Sequence, residues 1–189
     1  VKPIVFLDRD GTILVEPTDD FRIKSFDRFE FMPNVIEALK KIQSLNIYHF
    51  VLVTNQDGLG SDTYPLEHFE PFQEKMLQVL ASNGISFLGI HIDVSTVQDN
   101  KNTRKPGIGM LSNYIDNQDM FNIKNSIVIG DSKTDIQLAK NLGCASILIE
   151  NEHNTESYSS FTEDEEKAII FRSNSWEKIR EFIVDLHHI

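Results

Sequence analysis

The chain has 189 residues and 40% hydrophobic content, enough for one substantial core and hardly for two. Its net charge of −11 argues against a general nucleic-acid binder, because binding to a phosphate backbone depends on clustered Lys and Arg; a small cationic ligand meets no such objection. No apolar run is long enough to span a bilayer, no basic region followed by an apolar signal segment opens the sequence, and the single Cys144 cannot form an internal disulfide, so a cytoplasmic location is expected.

Ile4-Val5-Phe6-Leu7 reads as a buried strand, and Asp8-Arg9-Asp10-Gly11-Thr12 follows it directly. Alternate residues of an extended segment point the same way. Asp8 and Asp10 can therefore face one site, where two neighbouring anions need a cation or a shared proton. In an open parallel sheet the ligand crevice lies beyond the carboxyl ends of the strands, which is where this pair sits. An Asp-rich turn would look the same, so later strand ends must discriminate. Residues 13–32 read as a loop. After Pro33-Asn34, one helical face carries Val35, Ile36, Leu39, Ile42 and Leu45. His49 to Val53 is a second strand, with Thr54-Asn55-Gln56 at its end offering a hydroxyl and amide donors suited to phosphoryl oxygens.

Residues 56–70 form a second loop, and Phe72, Met76, Val79 and Leu80 a second helical face stopped by Asn83-Gly84. Phe87 to Val94 is the third strand. Arg104-Lys105-Pro106 follows, with Lys105 a candidate point charge for phosphate. Ser126 to Ile129 is the fourth strand and ends in Gly130-Asp131-Ser132-Lys133-Thr134-Asp135; Thr134 or Asp135 would cap the next helix, whereas Asp131 has no such structural use. Ser146 to Ile149 is the fifth strand, the acidic, Ser-rich stretch 151–167 a mobile surface segment, Ala168 to Phe171 an edge strand, and Trp176 to Leu186 a last helix. Alternating strands and helices predict an α/β fold: a Rossmann-like parallel sheet flanked by helices, one domain over 1–189, with neither loop large enough for a separate cap domain.

The D-x-D-G-T, T-N, K-P and G-D-x-x-T-D signals, in this order over roughly residues 4–150, resemble the haloacid dehalogenase superfamily of aspartate-nucleophile phosphohydrolases. Glu16-Pro17, Asp20-Phe21, Phe31-x-Pro33 and Thr54-Asn55-Gln56-Asp57-Gly58-Leu59-Gly60 are similar to its histidinol-phosphate phosphatases. The resemblance implies Asp8 as nucleophile, Asp10 as general acid and base, and Mg²⁺ held by Asp8, the Asp10 backbone carbonyl and Asp131. It assigns Thr54, Asn55 and Lys105 to the phosphate, and Glu16 and Arg104 to the rest of a small phosphate ester. Asp135 would ligate the metal through water or orient Lys105. Among the loop acids Glu16, Asp19, Asp20 and Asp57, Glu16 is the first choice for a substrate ammonium. The resemblance also allows a fusion, in a longer protein, to an imidazoleglycerol-phosphate dehydratase domain.

Many relatives carry a zinc loop of three Cys and one His before Arg-Lys-Pro, but Asp93 to Thr103 contains no thiol. No zinc is expected, because structural zinc sites want Cys and His; hydrogen bonds and packing would hold this loop, with His91 a strand residue. Other readings remain open: a heptose bisphosphate phosphatase, a polynucleotide 3′-phosphatase, or a non-catalytic binding domain of the same fold.

Overall fold

The computed structural model describes residues 1–187. Its strands are β1 (Ile4–Leu7), β2 (His49–Asn55), β3 (Gly89–Asp93), β4 (Ile127–Gly130), β5 (Ala145–Ile149) and β6 (Ile169–Ser173). They form one sheet in the order β3-β2-β1-β4-β5-β6, with every pairing parallel. The sheet and its helices match the expected α/β fold, and no large cap is present among the described residues. All four residues of β1 are buried, because helices cover both faces of the sheet. Val5 and Leu7 pack towards α1 (Val35–Ser44), α2 (Glu70–Ser82) and α7 (Trp176–Asp185), while Ile4 and Phe6 face α3 (Ser112–Asp116) and α4 (Lys133–Leu142).

Local chemistry sets the helix boundaries. Pro71 lies in the first turn of α2, where its missing N–H costs nothing. Ser132, rather than Thr134 or Asp135, is the N-cap of α4, and it shares a capping box with Asp135; Gly143 closes the helix in the left-handed region at φ 71°. The strand expected from Phe87 begins at Gly89, because Phe87 packs into the core and Leu88 donates its N–H outside the ladder, to Phe50. The stretch 151–167, expected as a surface segment, holds α5 (Thr155–Tyr158) and most of α6 (Glu163–Ala168), with Tyr158 and Glu165 buried. Tyr158 anchors it: the phenol stands in hydrogen-bond contact with the backbone of Asp131 and Ile149.

Further contacts order the chain that follows β1. The buried Trp176 indole N–H donates to the Thr12 carbonyl at 2.8 Å, tying α7 to the turn after β1. Residues 13–32 fold back as a short arm, with Val15 N–H on Glu30 O, Met32 N–H on Ile13 O, and Leu14 bridging Phe31. No helix is long and apolar enough to cross a membrane among the described residues.

Candidate active site

The carboxyl ends of β1, β2 and β4 open into a cavity of about 480 Å³. Asp8 follows β1 and still donates its N–H to Ile129 of β4, which fixes its Cα beside that strand. Gly11 turns the chain at φ 72°; a Cβ there would stand 2.2 Å from an Asp131 carboxyl oxygen, so only glycine lets the two strand ends approach this closely. Gly130 does the same for Asp135, whose carboxyl carbon lies 2.2 Å from where a Cβ would be.

Lys105 is the buried cation of this floor. Its Nζ donates to Asp8 Oδ1 and to Asp135 Oδ1, each at 2.7 Å. Asn55 holds the Lys105 backbone from both sides: Oδ1 accepts the Lys105 N–H and Nδ2 donates to the Lys105 carbonyl, each at 3.0 Å. One Nδ2 proton of Asn55 remains for the cavity. Thr54 Oγ1 accepts from Gln56 Nε2 at 2.9 Å and keeps its own proton to donate. Asp135 is both a cap and a Lys105 partner, since Oδ2 accepts from Ser132 N–H and Oγ.

Asp8, Asp131 and Asp135 offer oxygens all within 4.8 Å of one another. Burial pushes the Asp131 carboxyl up to about 8, and the charges of Asp135 and Glu16 add to it. Burial likewise raises Asp8 well above the carboxylate range, against the pull of Lys105. Burial alone would lower Lys105, yet Asp135 and Asp8 outweigh it and keep the ammonium charged. Asn151 and Asn154 donate to Asp131 Oδ2 at 2.6 and 2.9 Å, while Oδ1 accepts no hydrogen bond among the described residues; the same holds for Asp8 Oδ2. An all-oxygen set with uncompensated negative charge fits a hard divalent cation.

Asp10 stands beside this cluster with both oxygens held: Arg9 Nη1 donates to Oδ1 and Gln56 Nε2 to Oδ2, each at 2.7 Å. Tyr64 donates to Gln56 Oε1 at 3.0 Å and so fixes the direction of that amide. Arg9 is itself buried, and its guanidinium lies over the Phe69 ring at 4.7 Å. Glu16 lines the cavity without a hydrogen bond or ion pair among the described residues. Burial, with the charges of Asp10 and Asp8, lifts it to about 8.

The polynucleotide kinase 3 phosphatase profile matches residues 3–167. The chain belongs to that family. Among the curated relatives of this polynucleotide kinase 3 phosphatase domain is the histidine biosynthesis bifunctional protein HisB of Spirosoma linguale, 39% identical over 97% of this chain and 49% of its own length. The HisB protein of Bacteroides fragilis is 39% identical over 96% of this chain and 47% of its own. The chain thus spans about half the length of these relatives. A solved D,D-heptose 1,7-bisphosphate phosphatase from B. bronchiseptica, complexed with magnesium and phosphate, superposes with a TM-score of 0.76 at 25% identity, covering 97% of this chain and 98% of that one.

Asp8, Asp10, Thr54, Asn55, Lys105, Asp131, Glu16 and Arg104, singled out in the sequence for catalysis, phosphate, metal and substrate, all line the cavity, whereas Asp135 is outside its lining, on Lys105. Arg104 is also paired with Asp57 and donates to the Ser95 carbonyl. Of the loop acids, Asp19 lies outside the cavity on Arg28, Asp20 is held by Lys24 and Arg28, and Asp57 by Arg104. Hydrogen bonds hold the loop after β3: Asp93 accepts from Ser95 and Thr103, and Thr96 and Asp99 form a capping box. Sequence reasoning missed Arg9, Tyr64, Asn151 and Asn154. The asparagines carried a usable signal, since they follow the fifth strand at the same edge as Asp8 and Asp131; Tyr64 carried none.

Proposed function

We propose that this chain is a cytoplasmic, Mg²⁺-dependent phosphomonoester hydrolase that works through an aspartyl-phosphate and converts histidinol phosphate to histidinol and phosphate. Asp8 beside Lys105 and Asp131, at adjacent strand ends, is the observation that carries it. Asp8, Asp131 and the Asp10 carbonyl would hold the metal, which supplies charge neutralisation when an anionic nucleophile meets a phosphate dianion. Lys105, Thr54 and Asn55 bind the remaining phosphoryl oxygens. An Asp8 oxygen forms a bond to phosphorus as the bond to the leaving oxygen breaks. Asp10, aimed by Arg9 and Gln56, gives its proton to that leaving alkoxide. Water then attacks the same phosphorus, Asp10 takes the water proton, and Asp8 is released with inorganic phosphate.

Glu16 supports the choice of substrate, because among the described residues it is a cavity acid outside the Asp8, Asp131 and Asp135 cluster with no hydrogen bond or ion pair, and a substrate ammonium would supply one. The extent of the HisB similarity favours histidinol phosphate over a sugar bisphosphate. The net charge weighs against a polynucleotide end. We further propose that residues 1–189 act as one domain that can be joined to a second one in a longer protein; the bifunctional relatives, about twice this length, support such a fusion, and the dehydratase is the partner implied by the sequence resemblance. The test is a panel of phosphate monoesters assayed with purified protein and Mg²⁺. Histidinol phosphate should show the highest kcat/KM; a clear preference for heptose bisphosphate or 3′-phosphorylated DNA would overturn the substrate assignment, and no release from any ester would leave a binding domain.

A further inference from the structure

Exposure rises across the cavity from a buried floor of Asp8, Lys105 and Asp131 to a mouth at Phe21, which is 58% exposed. The open side of the cavity, where the leaving group of an ester bound at the floor has room, includes Phe21 in its lining. Single exposed apolar side chains are ordinary. Phe21, however, sits at φ 57°, a conformation that bulky residues rarely adopt. It belongs to no apolar cluster and makes no ring contact with another aromatic among the described residues. Both neighbours are braced: Asp20 by Lys24 and Arg28, and Arg22 by the carbonyls of Thr63 and Asp57 and by the Tyr64 ring, 4.3 Å from its guanidinium. Charged contacts thus brace the neighbours of an aromatic ring that, among the described residues, makes no ring contact at the mouth of a polar cavity.

We infer that Phe21 determines specificity by offering its ring to a planar ring carried on the leaving group of the ester. This rests on the phosphatase reading of the same cavity. Glu16 would select the amine, and Phe21 the ring beyond it, in offset or edge contact.

The experiment compares kcat/KM in two matched pairs, each with and without a ring: histidinol phosphate against alaninol phosphate, and 2-phenylethyl phosphate against propyl phosphate. Phe21→Ala should cut the wild-type preference for the ring-bearing member by roughly two- to twelvefold in both pairs, chiefly through KM, and Phe21→Trp should keep it. Equal loss on ring-bearing and ring-free esters, or an unchanged preference, would overturn the role of Phe21 while leaving the substrate assignment standing. Wild-type inactivity on the amino-alcohol pair, with a Phe21-dependent preference in the neutral pair, would overturn histidinol phosphate as substrate and support Phe21.

Discussion

Replacing Asp131 by Asn should stabilise the metal-free protein even as it damages the site. The Asp131 carboxyl is raised from 3.8 to about 8, chiefly by burial and then by Asp135 and Glu16. A carboxyl raised on folding costs nothing below its unfolded value, and an increasing amount as the pH climbs towards its folded value. At about 1.4 kcal/mol for each pH unit, the ceiling at pH 7 is about 4 kcal/mol. Relaxation of the site should leave about half, and 2 kcal/mol in a chain of this size raises Tm by about 4–8 °C. The amide keeps an oxygen for Asn151 and Asn154, so their hydrogen bonds survive. Calorimetry in chelator should show Asp131→Asn above wild type, with a gap that widens from about pH 4 to pH 8 and then levels off. Added Mg²⁺ should raise the wild type more than the variant. A variant less stable at pH 7, or a gap equal at pH 5 and pH 8, would refute the electrostatic account.

Asp8→Asn should abolish turnover, since an amide cannot form the acyl phosphate, and Asp10→Asn should lower kcat by about 10²–10⁴; phosphate release measures both. Lys105→Ala leaves Asp8 and Asp135 facing each other and should cost about 3–5 kcal/mol in urea unfolding, whereas Lys101→Ala, at an exposed position, should stay within about 0.5 kcal/mol. Chelation should stop activity, and Mg²⁺ alone should restore it, while metal analysis finds no stoichiometric zinc. Glu16→Gln should raise KM for histidinol phosphate and leave a small uncharged aryl phosphate nearly unchanged in steady-state assays.

Asp8 and Asp131 were legible because strand ends are marked locally, where an apolar run stops and a charge follows; Lys105, beyond the loop after β3, was legible from the Lys-Pro pair and its place in the order of motifs. The cap of α4 was misjudged by two or three residues because Ser132, Thr134 and Asp135 all suit that role, and it is the extended backbone of Ser132, at φ −112° and ψ 158°, that makes it the cap. Asn151, Asn154 and Tyr158 were passed over for another reason, although the asparagines follow a strand end. Their stretch is acidic and Ser-rich, but it is ordered by contacts with Asp131, 20 to 27 residues away in sequence. Asp19 failed as a cavity acid because Arg28, nine residues on, draws it outward.

The hydrogen bond from Trp176 to Thr12 gives the molecule an intrinsic optical reporter. The chain has one tryptophan, its indole is buried, and among the described residues its N–H donates to the carbonyl of the turn that carries Asp8 and Asp10. Emission from unlabelled protein therefore follows the state of that turn. A titration with a divalent cation or inorganic phosphate can be read from the fluorescence alone, with no turnover required.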